Sequence, residues 1–258
     1  MINKITSRDN KILKVARSLH KKKGRVQTGL YFAEGLRLVK EALSYVPSEI
    51  DAVIMSEEFI GQNPALTEEI ESKISNVFAV SQKLFAELCD TETPQGIAAL
   101  VKIPKEEAVD LTSAKYVLIL DGVSEPGNMG TIIRTAEAAG IDLICLLEGC
   151  VDVYSPKTVR SGMGSLFRMK VMSGDASFVE ELKKKDFTVI ATALYNSFPI
   201  EEIKVTGKRA IVIGNEARGV SEEVLSLADI AARIEMSGNV ESLNAAVAAG
   251  IAMYMLRT

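Results

Sequence analysis

Apolar positions near the start of the chain recur at helical spacing. Ile12, Leu13, Val15, Ala16 and Leu19 would share one side of a helix whose other faces are basic, with Gly24 as its stop. Short apolar runs then alternate with helical patterns: "YFAEG", "LRLVKEALSY", "DAVIMS", a polar helix near Leu66 to Ile74, "NVFAVS", "QKLFAELCD" and "GIAALVKIP". This predicts a small α/β domain over residues 1–104. The charged stretch "KEEAVDLTSAK" carries few bulky apolar residues, which sets a linker at 105–114 and a second domain at 115–258.

In the second domain, strand-like and helical segments alternate strictly. "YVLILD", a helix from Gly130, "LICLLE", a helix from Pro156, "FRMKVM", "SFVEELKKK", "TVIATAL", "RAIVIGNE", "SEEVLSLA", "ARIEM" and a long C-terminal helix follow in order. The strand runs lack period-2 alternation, as expected of a parallel sheet covered on both faces. In such sheets ligands bind beyond the carboxyl ends of the strands, so the loops that follow the strands carry the candidate chemistry.

Charge changes the picture mainly through its distribution. The net charge is −4, yet the first 40 residues carry +9 and the remainder −13. A cationic arm on an acidic body suits a polyanionic partner, although a solvated helix face is an equal reading of the charges alone. Cys89, Cys145 and Cys150 are too few and scattered for a disulfide framework, which points to a reducing cytoplasm. The N-terminus has no apolar core of a secretory signal. The apolar stretch Leu243 to Leu256 is shorter than the roughly 20 residues of a membrane span and reads as a buried helix. His20 sits in the basic helix, where an exposed side chain is expected rather than a ligand, and the cysteines lack zinc spacing, so no metal is expected.

The first loop of the second domain, "LDGVSEPGNMGTIIRTAEAAG", clusters Gly122, Gly127 and Gly130 ahead of a helix. A P-loop requires Lys and Ser or Thr where Asn128 and Met129 stand, and a dinucleotide fingerprint requires a glycine spacing that is absent. The loop instead offers a Pro126–Gly127 turn, Asn128 as a helix cap, and Arg134 about one turn into the helix, near an end that attracts anions. In "IVIGNEARGVSEE", Glu216 ends a strand inside a glycine-flanked turn and is expected to orient the Arg134 guanidinium. "ARIEMSGNVESLNAAVAAGIAMY" sets Gly238, Asn239, Ser242 and Asn244 at a strand-to-helix junction ahead of a helix lined with small residues. Each turn taken singly occurs in any α/β protein.

Taken together and in order, these three stretches resemble the SpoU/TrmH family of RNA ribose 2′-O-methyltransferases of the SPOUT class. "YSPKTVRSGMGSLFRM" is also similar to the family's segment after its second strand, and the resemblance spans residues 116–258. It implies a dimeric α/β methyltransferase domain with a C-terminal trefoil knot that holds S-adenosylmethionine, the homodimer forming through that domain. Position by position, Asn128, Arg134, Glu216, Ser242 and Asn244 match the active-site polar set. Gly214, Ile234, Met236 and Leu243 match the cofactor loops, with Thr192 and Leu194 on the preceding strand end. Glu235 replaces a proline common in the family. Residues 1–104 resemble, more weakly, the ribosomal-protein-like RNA-binding domain of two-domain members, best in "YFAEGLRLVKEAL". Arg8, Lys11, Arg17, Lys21, Lys22 and Lys23 are the expected phosphate contacts.

The implied reaction is methyl transfer from S-adenosylmethionine to a ribose 2′-hydroxyl, of rRNA in preference to tRNA by the two-domain layout. A catalytically silent RNA-binding protein of the same fold is the alternative. The family's proposed base is the arginine matching Arg134. A guanidinium, with a pKa above about 12, accepts no proton; Arg134 is therefore expected to bind the nucleotide phosphate and steady the developing alkoxide, with the proton acceptor open.

Overall fold

The computed structural model describes residues 2–105, 110–238 and 242–257. Residues 106–109 of the expected linker, and Asn239 of the third motif, lie outside the described residues. The chain divides into two compact units, residues 1–105 with 152–167, and residues 106–151 with 168–258.

The first unit begins with β1 (Asn3–Ile5), too short to show a period. α1 (Lys11–Ser18) is capped by the Asn10 side chain, which accepts the Ile12 N–H, and it buries Leu13 and Ala16. Gly24 is not the stop that the pattern suggested. It lies inside α2 (Lys22–Thr28), where a Cβ would sit 2.1 Å from the Ser18 carbonyl oxygen, so the glycine allows α2 to fold back against the end of α1. His20 is also not exposed as expected. Its ring tilts against Phe32, and its nitrogens lie 2.7 Å from Asp90 Oδ2 and 2.8 Å from the Leu88 carbonyl, a structural clamp.

β2 (Leu30–Glu34), α3 (Leu36–Tyr45), β3 (Ile50–Ser56), α4 (Glu57–Gln62), α5 (Pro64–Lys73), β4 (Val77–Val80), α6 (Gln82–Ala86) and β5 (Ile97–Lys102) complete the main part of this unit. The sheet order is β1-β4-β3-β5-β2, with β5 antiparallel to both neighbours and the remaining pairs parallel. The helix Pro156–Gly162 also belongs here. Arg25, 4% exposed, donates to Asp152 Oδ2 at 2.7 and 2.9 Å and to the Leu19 carbonyl, so its charge is spent inside the fold.

The second unit is a seven-stranded sheet in which every pairing is parallel. Its elements are β6 (Tyr116–Asp121), α7 (Pro126–Ala139), β7 (Leu143–Leu146), β8 (Val171–Ser173), α9 (Ser177–Lys184), β9 (Thr188–Thr192), β10 (Phe198–Pro199), β11 (Arg209–Gly214), α10 (Glu222–Leu227), β12 (Ile230–Arg233) and α11 (Ala245–Met255); the Pro156–Gly162 helix of the first unit is α8 in this count. The strand order is β10-β12-β9-β11-β6-β7-β8. Val117 to Leu120 of β6 are fully buried, which explains why this strand shows no alternation. Burial of each such side chain contributes about 1.5–3 kcal/mol.

The chain builds outward from β6 through β7 to β8, then returns on the other side of β6 through β9, β11 and β12. The order therefore reverses between β6 and β11, the position at which open α/β sheets bind ligands beyond the strand ends.

α7 differs from the expected helix. It starts at Pro126, not Gly130, and its N-cap is Glu125, whose carboxylate accepts the Asn128 N–H at 2.8 Å. Asn128 is therefore in the first turn, and Arg134 lies about two turns in. Pro126 at the first helical position is the signal for this start, because its fixed φ and missing N–H suit that place. Ile132, Ile133 and Ala136 are buried as the pattern requires. "FRMKVM" yields only the three-residue β8, preceded by a 3-10 turn at Ser165–Phe167, and the strand expected in "ARIEM" begins earlier, at Ile230.

Candidate active site

The site grows from the carboxyl ends of β6 and β11. After Asp121 the chain enters the turn Gly122–Glu125. After Gly214 it makes a tight loop in which Asn215 and Gly219 exchange backbone hydrogen bonds of 2.9 Å. A Cβ on Gly214 would lie 2.1 Å from backbone atoms of Gly219 and Val220, so only glycine lets the loop return this closely. Asn215 stitches the two loops together: its amide donates to the Gly122 carbonyl at 2.8 Å, and its Oδ1 accepts the N–H groups of Ala217 and Arg218. Asp121 adds a second stitch by accepting the Ser221 N–H at 2.7 Å.

Glu216 holds the turn before α7. Its carboxylate accepts the Ser124 N–H and hydroxyl, the Glu125 N–H at 3.2 Å and the Asn128 amide at 3.0 Å. Arg134 is not among its donors. The expected Glu216–Arg134 pairing is therefore not made, and the exposed Arg134 has no hydrogen bond or ion pair among the described residues. Partial burial pushes the Glu216 carboxyl up, but hydrogen bonds from Asn128 and from backbone N–H groups outweigh it and hold the group below the usual carboxylate range. Its lone pairs are engaged and it stays ionised, which makes it a poor proton acceptor.

Asn244 brings in the third loop. As N-cap of α11, its Oδ1 accepts the N–H groups of Ala246 and Val247, which leaves its Nδ2 to donate to Asn128 Oδ1 at 2.9 Å. Asn128 must then present its own Nδ2 to Glu216. The relay Asn244 to Asn128 to Glu216 has a single direction fixed at both ends, by the helix N–H groups and by the carboxylate. It joins three segments separated by 28 and 88 positions in the chain. α11 can approach α7 because its packed face is small: Ala245, Ala246, Ala249 and Ala252 are buried, and Gly250 faces Thr135.

The expected cofactor residues lie at or after the ends of β9, β11 and β12 and before α11. Thr192, last in β9, donates its hydroxyl to the Val212 carbonyl at 3.0 Å, tying β9 to β11. Ile234, Met236 and Leu243 are half-buried in the segments after β12 and before α11, and Leu194 is exposed. Ser242 is exposed. Glu235, in place of the family's proline, pairs with Arg233 at 2.8 Å, an accommodation on the surface. Half-buried apolar side chains in these segments fit an adenosyl group better than a triphosphate, since the turn Gly122–Glu125 carries no lysine and its one hydroxyl, Ser124, is engaged by Glu216. Among the described residues no cluster could hold a metal ion.

In the first unit, Lys11, Lys21, Lys22 and Lys23 are exposed and unpaired among the described residues. Arg8 pairs with Glu87 at 2.9 Å, and the half-buried Arg17 donates to the Arg8 carbonyl, so both arginines are partly committed to the fold.

A family model described as the SpoU rRNA Methylase family matches residues 115–254, more than half of the chain and all of the strand-end loops just described. The chain belongs to the SpoU rRNA methylase family. It is an RNA methyltransferase that uses S-adenosylmethionine. A second model, the MRM3-like substrate binding domain, matches residues 10–99. A Bacillus subtilis protein, 23S rRNA (guanosine(2553)-2′-O)-methyltransferase RlmP, is 38% identical over 99% of this SpoU methylase and 100% of its own length. The crystal structure of an rRNA methyltransferase from Sinorhizobium meliloti is 30% identical with a TM-score of 0.85, covering 98% of this chain and 96% of that one. Its AdoMet-bound form is 29% identical, also at 0.85, over 98% and 97%.

Sequence reasoning missed Ser124, Glu125 and Asn215, which shape the turn. Their signal was weak because each acts through hydrogen bonds between segments distant in sequence. No helix among the described residues is long and apolar enough to cross a membrane.

Proposed function

We propose that this SpoU methylase transfers a methyl group to the ribose 2′-hydroxyl of a guanosine in 23S rRNA, in the cytoplasm and as a homodimer. The carrying observation is the Asn244–Asn128–Glu216 relay, which assembles all three family loops at the switch point of the sheet. The full-length relative from Bacillus subtilis supports the choice of RNA and nucleotide. When bound, S-adenosylmethionine supplies an electrophilic methyl. The chain must align the hydroxyl with it, steady the negative charge that develops on oxygen, and keep the turn rigid while it does so. Glu216 fixes the turn. Asn128, Asn244 and Ser242 offer hydrogen bonds to substrate and loops. Arg134, unpaired in the protein, is available to a substrate phosphate and to the developing alkoxide.

Thr192, Leu194, Gly214, Ile234, Met236 and Leu243 hold the cofactor on this reading, in loops that form the family's trefoil knot. The homodimer forms through the methyltransferase domain. Val247, Tyr254 and Met255 support this, since α11 leaves them between 42% and 51% exposed opposite its packed face. Residues 1–104 act as the RNA-binding domain, residues 105–114 as the linker and residues 115–258 as the methyltransferase domain.

The test is a map of 2′-O-methyl sites on rRNA and tRNA from cells with and without the gene, with the melting temperature read with and without S-adenosylmethionine. Loss of one rRNA methyl group and a cofactor-dependent rise in melting temperature are expected. Neither change would leave the silent RNA-binding reading in place.

The first unit makes its own prediction. Replacing Lys21, Lys22 and Lys23 together with glutamine should weaken RNA binding and flatten the dependence of log K on log salt by about 0.7 for each phosphate no longer neutralised, as for single-stranded RNA. Filter binding from low to moderate salt measures the slope.

A further inference from the structure

Eight large apolar side chains stand out as exposed among the described residues, and three of them fall within five positions: Leu194 at 55%, Tyr195 at 84% and Phe198 at 63%. Leu194 and Tyr195 lie in the loop after β9, which is next to β11 in the parallel sheet and so opens at the same end of it as the candidate site, and Phe198 begins the edge strand β10. The loop is held in shape. Asn196 adopts a left-handed φ of 51°, Ala193 donates its N–H to the Ala232 carbonyl at 2.8 Å, and Arg233 donates to the Ser197 carbonyl. An aromatic ring displayed at 84% exposure on a tethered turn has no packing role in this unit.

We infer that Tyr195, assisted by Phe198, stacks on an unpaired base of the RNA substrate and helps to choose the nucleotide presented for methylation. The inference rests on the proposed rRNA ribose methylation. Single-stranded RNA is read by splaying bases onto aromatic side chains, each worth a stacking contact. Residues 193–200 carry no acidic side chain, although the exposed Glu201 and Glu202 follow, and the exposed Arg218 side chain, unpaired among the described residues, stands in the loop after the neighbouring strand β11. Two other occupants fit less well. The cofactor residues assigned above, Thr192 and Leu194 of this segment with Gly214, Ile234, Met236 and Leu243, do not include Tyr195 or Phe198. A second copy of the chain needs a broad face, which α11 offers and a pointed turn does not.

The experiment is steady-state methylation of rRNA transcripts by the full chain carrying Tyr195→Ala, Tyr195→Leu or Tyr195→Phe, with cofactor affinity by calorimetry and oligomeric state by light scattering. Tyr195→Ala and Tyr195→Leu should raise KM for RNA roughly five- to hundredfold, the range expected when one base stack is removed. Tyr195→Phe should restore it, since the ring and not the hydroxyl does the stacking. Cofactor affinity and oligomeric state should not change. An unchanged KM in Tyr195→Ala overturns the proposal, as does weakened cofactor binding or a changed oligomeric state, which would assign the loop to one of the other occupants. A wild-type protein that methylates no RNA would refute the underlying functional reading instead.

Discussion

Replacing Arg134 with alanine is expected to lower kcat/KM for RNA by about 10²- to 10³-fold, the usual loss when a group that stabilises developing oxyanion charge is removed. Cofactor binding should persist, because the Arg134 side chain makes no hydrogen bond or ion pair to the residues assigned to the cofactor among the described residues. Stability should also hold: the side chain is exposed and makes no hydrogen bond or ion pair among the described residues, so its removal leaves no buried group unsatisfied. Arg134→Lys keeps the charge but loses the planar fork that grips a phosphate, and should recover only part of the rate. Single-turnover methylation alongside a melting-temperature shift with S-adenosylmethionine reads both effects. Near-normal turnover in Arg134→Ala would remove this residue from the mechanism.

Glu216→Ala should act through a different route. It strips the common acceptor from Ser124, Glu125 and Asn128, so the turn before α7 loses its anchor and Asn128 is no longer oriented. Glu216 and Ser124 are exposed and Glu125 and Asn128 only half-buried, so water can replace the carboxylate and global stability should change little. Turnover should fall about 10²-fold, the cost of a displacement of about 1 Å at a reacting centre. Glu216→Gln should fall in between, since it retains an acceptor oxygen without the charge. The pH dependence carries a sign. The folded Glu216 carboxyl lies below its unfolded value, so its support of the turn is complete above about pH 4.3, the ordinary glutamate value, and is lost as pH falls through the lowered folded value. The protection factors of the Ser124 and Glu125 amides, measured against the intrinsic exchange rate at each pH, should therefore fall in acid in the wild type and be low at every pH in Glu216→Ala.

Much of this was legible in the chain itself. The buried parallel strands announced themselves as unalternating apolar runs, and Val117 to Leu120 show why: both of their faces are covered. The three loops were visible as motifs because glycines and polar side chains mark strand ends. Their joining was not visible. Nothing local in "NEARG" says that Glu216 reaches Asn128 in preference to Arg134, because the choice depends on which strand lies beside which, and the β6–β11 pairing is set by crossovers of about 90 residues. Gly24 misled for a related reason. A glycine after a basic helix reads as a stop, whereas here it marks a close approach to Ser18 that only tertiary packing reveals. The start of α7 is readable from Pro126, although the glycines draw the expected helix on to Gly130.

The most direct measurement is transfer of labelled methyl from S-adenosylmethionine to rRNA by the purified chain, followed by digestion to nucleosides. The proposed function predicts label in a single 2′-O-methylnucleoside, guanosine on the proposed choice of substrate, lowered at least about a hundredfold in Arg134→Ala while the cofactor still binds. Label in a base-methylated nucleoside, or cofactor binding without any transfer to rRNA, would contradict the account.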